Sequence, residues 1–217
     1  MIDPPLPYER MIECRACPRL ARHLEEVAEQ HPDYYCRPVR PRGPRAARLL
    51  IVGLAPGMHG ANRTGRPFTG DASGYFLFEA LTRAGFATAG DPFTASLVRT
   101  RITNAVRCLP PGNRPNADEV RRCSGYLAHE LHELWRPGSR RPRCIIALGK
   151  IAHDAVGIAL EQRLPAFAHG AKVALGHGLL LIDTYHPSRQ NTNTGRLTAV
   201  MLDSVLAEAS DHLATSV

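Results

Sequence analysis

The chain has 217 residues, 44% of them apolar and 22% charged, which places it among soluble globular proteins able to bury a core without disulfide staples. Its net charge of +7 and pI near 9.4 favour a polyanionic partner, because cationic side chains that neutralise phosphates release counterions. No run approaches the roughly 18 apolar residues of a membrane span, and the opening MIDPPLPYER lacks the basic-then-apolar pattern of a secretory leader, so a cytoplasmic, nucleoid-associated protein with no membrane partner is expected.

In that compartment the six cysteines point to metal or chemistry rather than to disulfides. Of the 27 basic residues 25 are Arg and only Lys150 and Lys172 are Lys. That ratio fits planar phosphate recognition and fits equally a bias toward Arg codons.

Cys14 to about Gln30 reads as a helix with Leu20, Leu24 and Val27 on one face, and Cys14 and Cys17 at its start. From His31 to Ala47 four prolines alternate with Arg37, Arg40, Arg42 and Arg45, an extended loop expected to be solvated. The apolar run from Arg48 to Gly53 is a buried strand, and Gly53 to Asp71 is a loop of nineteen residues. That length is unusual between a strand and a helix, and long loops in compact domains are more often functional than idle. Gly53, Gly57, Gly60, Gly65 and Gly70 permit close backbone approach while Pro56 and Pro67 stiffen it. The segment Gly60 to Arg66 lacks the G-K-[ST] ending of a triphosphate-binding loop.

A helix from Ala72 buries Leu77, Ala80, Leu81 and Ala84 before Gly85 stops it. A second strand follows at Arg101 to Val106, then Cys108 and the turn-rich LPPGNRPN. Asn116 and Glu119 form the signature of a capping box, opening a helix that carries Cys123 and runs through Val120, Leu127, Leu131 and Leu134 to about Trp135. The third strand is Arg143 to Gly149, followed by a short helix with Ile151, Ala155 and Val156. The fourth is GLLLIDTYHPS, followed by a polar loop, RQNTNTG, and a last helix from about Arg196 to Ala209.

Alternating strands and helices imply an α/β fold, a three-layer α/β/α domain over 1–217 with a central four-stranded parallel sheet. In such sheets ligands bind beyond the carboxyl ends of the strands, which should bring the Gly53–Asp71 loop, Asn104 and His186 to one edge. Cys14 and Cys17, two residues apart, can join Cys108 and Cys123 as four soft ligands for zinc or an iron–sulfur cluster. Cys36 and Cys144 are left over, and Cys144, inside a strand, reads as a core residue.

The segments GLAPG, GRPFTGDASG, ITNAVRC and HPS, in that order and with the spaced cysteines, resemble the iron–sulfur uracil-DNA glycosylases, most closely family 5, the B-type enzymes. The resemblance spans nearly the whole chain. It implies a [4Fe–4S] cluster on Cys14, Cys17, Cys108 and Cys123, and a monomeric, monofunctional hydrolase. Its reaction would remove uracil and other deaminated or damaged bases from DNA, leaving an abasic site.

Such chemistry takes the nucleotide out of the stack into a pocket. There Gly53 and Ala55 would border the base and Phe68 would offer a ring face, unless Phe68 is simply core. Asn104 matches O4 and N3–H of uracil. His186 can donate to O2 as negative charge builds there, or can merely be hydrogen-bonded in the turn before Pro187. Asp71 reads as a helix N-cap, and by resemblance as the carboxylate that handles water and steadies the cationic sugar. Family 4 enzymes carry Glu where this chain has Leu54, so water activation cannot come from that position. Ser188, Arg189, Gln190 and Asn191 would face the duplex, or cap the last helix. A non-catalytic, metal-stapled damage sensor and a hydrolase of free nucleosides are the rival readings.

Overall fold

The computed structural model describes residues 3–134 and 141–215. Trp135, the expected end of the helix that begins after Asn116, lies outside them.

Five strands form one sheet among the described residues: β1 (Leu49–Gly53), β2 (Thr100–Asn104), β3 (Arg143–Leu148), β4 (Lys172–Gly176) and β5 (Leu179–Thr184), in the order β2-β1-β3-β5-β4. The four strands expected from the sequence are β1, β2, β3 and β5, and all pair in parallel. The fifth, β4, is a correction: it lies antiparallel to β5 at the sheet edge. Its two-residue turn has φ of 50° at His177 and 74° at Gly178, the pair of positive values a tight hairpin requires. Most of β4 is solvent-facing, so no buried apolar run announces it.

The sheet is sandwiched because its central strands are apolar on both faces. In β1, Leu50 and Val52 pack with Leu127 and Leu131 of α4 (Ala117–Leu134) and Val156 of α5 (Lys150–Ala159). The alternate residues Leu49 and Ile51 pack with Leu77 and Leu81 of α3 (Ala72–Arg83) and Leu202 and Leu206 of α7 (Ala199–Ala214). Cys144 joins this second core, fully buried, as its place in a strand implies. The three-layer architecture read from the sequence is therefore present.

Helix ends differ from the reading where local chemistry decides them. The first helix, α1 (Pro18–Gln30), begins at a proline, whose fixed φ suits a first turn, and leaves Cys14 outside it. The capping box before α4 is made as expected, Asn116 N–H donating to Glu119 and Glu119 N–H donating to Asn116 Oδ1, each at 2.8 Å. Two stretches expected to be loops each contain a short helix, α2 (Ala61–Thr64) within Gly53–Asp71 and α6 (Arg189–Asn193) after His186. The final helix starts at Ala199 rather than Arg196 because Thr198 Oγ1 accepts the Met201 N–H.

The basic loop departs further. Arg42 is only partly exposed: its guanidinium donates to Pro92 O at 2.7 Å and lies 4.8 Å from the centre of the Phe78 ring. Burial lowers its pKa to about 10. An arginine expected on the surface is thus a structural pin.

Because β1 lies between β2 and β3, connections leave it in opposite directions, and the crevice of this fold opens at its carboxyl end. Just before the last segment reaching that crevice, buried Asp183 of β5 stands 2.8 Å from His153 Nδ1 of α5, and His153 Nε2 faces Pro165 O at 3.0 Å. Replacing His153 by Phe strands the carboxylate and should destabilise the fold by about 3 kcal/mol in urea titration, whereas a loss under about 1 kcal/mol would show the pair contributes little.

Candidate active site

The crevice is a cleft of about 500 Å³ lined by Leu54, Ala55, Gly57 and Ala61, by Phe68, Asp71 and Ser73, by Asn104, by Gly112–Arg114, and by His186 and Ser188–Gln190. Every element expected at one sheet edge meets there.

Its floor is set by Gly53, the last residue of β1, which pairs with Asn104 of β2. A methyl group on Gly53 would overlap Asn104 Oδ1 and come within 2.7 Å of the Phe68 ring. The missing side chain is therefore what lets amide and ring meet. Ala55 lines the cleft, whereas Gly53, expected to border the base, does not line it and acts through the contact it allows between Asn104 and Phe68.

Asn104 is 3% exposed, and its Oδ1 has no hydrogen-bond partner. A buried acceptor left unmade costs about 1 to 3 kcal/mol, so an orphan at the edge of a cleft is suited to a ligand that donates. Phe68 is buried with φ of 50°, a conformation an aromatic residue rarely adopts. Its carbonyl occupies the space where a side chain on Gly74 would go, which holds the strained turn against α3. The Phe68 and His186 rings are 5.8 Å apart with planes tilted by 30°.

Asp71 is the helix N-cap that one of its readings held it to be. Oδ1 accepts the Gly74 N–H at 2.9 Å and caps α3. Oδ2 faces the loop, so close to Gly60 that a Cβ there would overlap it, and a Cβ on Gly57 would stand 3.2 Å away. Two glycines thus leave room round a carboxylate oxygen on the cleft wall.

His186 follows β5, half-buried, and burial lowers its pKa from 6.5 to about 4. Its ring is neutral at physiological pH and can donate one N–H. Its main-chain carbonyl accepts from Ser188 N and Asn191 Nδ2, each at 2.8 Å. Ser188, Arg189 and Gln190 line the cleft, but Asn191 does not, since its amide is turned inward to hold the His186 turn. Ser188 caps the short α6 rather than the last helix, whose cap is Thr198, so the expected alternative of a cap on the last helix is not what the structure has.

Sequence reading missed the Gly112–Arg114 wall and Ser73. LPPGNRPN was legible as a turn; that it borders the cleft depends on β2 lying beside β1.

All six cysteines are free thiols. Cys14, Cys17, Cys108 and Cys123 are neighbours: burial first, then Cys123, Cys14 and Cys17 in turn, push the Cys108 thiol well above its ordinary value. Among the described residues no three His, Cys, Asp or Glu side chains converge as ligands of one ion. The surroundings suit a larger anionic group. Arg107 beside them is 1% exposed, and burial lowers its pKa to about 10. Its Nη1 bonds Thr103 Oγ1, while Nε and Nη2 have no partner. A buried cation with orphaned donors calls for negative charge nearby, which cysteine thiolates would supply.

Residues 40–210 match the model of the uracil DNA glycosylase superfamily. The chain belongs to that superfamily. It is 46% identical over 212 residues to a type-5 uracil-DNA glycosylase of Mycobacterium leprae, covering 90% of each chain. It is 43% identical to the type-5 enzyme of Thermus thermophilus, covering 93% of this chain and 94% of the relative. A type-4 enzyme of Pyrobaculum aerophilum is 38% identical over only 147 residues, 64% of this chain and 66% of the relative. Placement in the type-5 group follows, in keeping with Leu54 where type-4 enzymes were expected to carry Glu.

A depressed His186 pKa has a definite sign. Between pH 6.5 and about 4 the unfolded chain takes up a proton that folded His186 refuses, so its contribution to stability falls as pH drops through that window. His186→Asn should flatten the stability–pH curve there in denaturant titrations; an unchanged slope would place the imidazole in a wetter site.

Proposed function

We propose that this protein hydrolyses the N-glycosidic bond of uracil, and of other deaminated or damaged bases, in DNA, acting as a monomer in the nucleoid and leaving an abasic site. The observation that carries the reading is the orphaned, buried Asn104 Oδ1 between Phe68 and the cleft. The type-5 relatives, named uracil-DNA glycosylases, support it.

An extruded uracil stacks on Phe68. Asn104 Oδ1 accepts its N3–H, and the amide N–H₂ donates to O4. The bond from C1′ to the base breaks with its electron pair passing into the ring, so negative charge gathers on the uracil and positive charge on the sugar. Neutral His186 donates an N–H to O2 as that charge develops, a contact made stronger in the transition state than before it. Asp71 Oδ2 steadies the oxocarbenium-like sugar and receives a proton as water adds at C1′. No lysine enters the reaction, so strand cleavage does not accompany excision.

Cys14, Cys17, Cys108 and Cys123 would hold a [4Fe–4S] cluster, which supplies a structural cross-link between the chain before α1, the segment after β2 and α4. The partnerless nitrogens of Arg107 support an anionic group there. A non-catalytic damage sensor would account for the charge and the cysteines but would give Asp71, Asn104 and His186, gathered on one cleft, no task.

Conversion of a fluorescent uracil-containing duplex to alkali-labile abasic sites tests the reading directly, and its absence with folded, cluster-loaded protein rejects it. Asn104→Ala, Asp71→Asn and His186→Ala should each slow single-turnover excision by about 10² to 10³ while DNA affinity stays near wild type. Full activity in any one removes that residue from the scheme. Cys14→Ser should lose visible cluster absorbance and thermal stability together, and colourless wild-type protein holding zinc after anaerobic preparation would reject the cluster.

A further inference from the structure

The wall of the cleft formed by Gly112–Arg114 has no part in the chemistry above. The chain leaves β2 through Cys108 and makes a tight turn in which Gly112 and Asn113 have φ of 61° and 56°. Asn113 N–H donates to Pro110 O at 3.0 Å, and the turn presents an exposed Arg114 at the cleft. Among the described residues the guanidinium of Arg114 pairs with no protein group, nor does that of Arg189, also exposed and on the same cleft. Arginines of the segments before α3 are by contrast engaged: Arg66 donates to Phe93 O at 3.2 Å and Arg42 to Pro92 O at 2.7 Å.

We propose that Arg114 grips a DNA phosphate on the β2 side of the cleft, across from Arg189 on the β5 side, and that Arg19 is the positioning residue that holds Arg114 there. This rests on DNA being the substrate. In the sheet order β2-β1-β3-β5, the segments carrying the two arginines leave strands three spacings apart, roughly 14 Å. The cleft lies between them. One strand of DNA whose nucleotide enters that cleft has a phosphate on each side of the extruded sugar, and a free guanidinium faces each side. Two unpaired planar cations at the rim match phosphate oxygens in shape and charge.

The hold on Arg114 acts through its main chain. Arg19 of α1 forks onto Glu119, Nε to Oε1 at 2.8 Å and Nη2 to Oε2 at 2.6 Å, and Nη2 also donates to Arg114 O at 3.1 Å. Glu119 is buried and closes the capping box with Asn116. Arg19 lies two residues after Cys17, and Glu119 shares α4 with Cys123. The tie therefore runs from the cysteine-bearing side of the protein to the rim of the cleft.

The test is equilibrium binding of cluster-loaded protein to a fluorescent duplex carrying an abasic-site analogue, measured as a function of salt. Arg114→Gln should weaken binding several-fold and lower the magnitude of the log K against log salt slope by about 1, one phosphate contact's worth. Arg19→Met, which touches no DNA, should reproduce most of that loss with cluster absorbance intact, and the double variant should lose no more than Arg114→Gln alone. Arg114→Lys should restore the slope. Arg121→Gln removes the same charge from α4, where Arg121 pairs with Asp118 at 2.8 Å, and should leave the slope unchanged. A wild-type slope in Arg114→Gln overturns the inference, as does an equal change in Arg121→Gln. Uracil excision by the wild type, followed in parallel, separates this outcome from failure of the glycosylase reading, and wild-type protein that binds no DNA defeats both.

Discussion

The absence of one side chain, at Gly53, is the constraint from which the rest of the site follows. β1 lies between β2 and β3, both parallel to it, and the crevice opens beyond the carboxyl ends of these strands. At that point the backbone of β1 has to let the amide of Asn104 and the ring of Phe68 come together. Any Cβ would push them apart, and neither can retreat. Asn104 is fixed by its register in β2, and Phe68 by a left-handed turn locked against Gly74. Rigid strands thus supply the amide, while a strained loop supplies the ring, a division that keeps the polar group precise to within the tolerance of a sheet.

A second physical theme is the treatment of buried charge. Three arginines leave bulk solvent in three different ways. Arg42 satisfies itself on main-chain carbonyls and an aromatic face. Arg101 pairs with buried Glu130, whose carboxyl burial pushes up to about 8. Arg107 keeps two nitrogens without partners beside the cysteines. The first two are complete as they stand. The third is complete only with an anion, and so it links the arginine-rich composition to the metal chemistry that the cysteine spacing suggests.

Much of this was legible in the chain because the signals were local. Continuous apolar runs marked β1, β3 and β5, the Asn116–Glu119 pair marked the start of α4, and the glycine-laden stretch after β1 marked one wall of the cleft. What escaped was decided by distance in sequence. β4 buries little and depends on a turn of two positive φ values, for which His177 is an unusual occupant. Arg42 reads as solvated until Phe78 is brought under it. Asn191 was grouped with the outward residues of its loop, yet a five-residue helix turns its amide back to the His186 carbonyl. Nor does LPPGNRPN announce a cleft wall without the strand order.

Asp71 places an unusual demand on the evolution of the site. Its two carboxylate oxygens answer to different masters, one to the first turn of α3 and the other to the open side of the loop. Ser, Thr or Asn here would keep an acceptor for the first turn of α3 while emptying the loop side of its negative charge. A hydrophobic replacement would remove the cap as well, at a cost to α3 of about 1 kcal/mol.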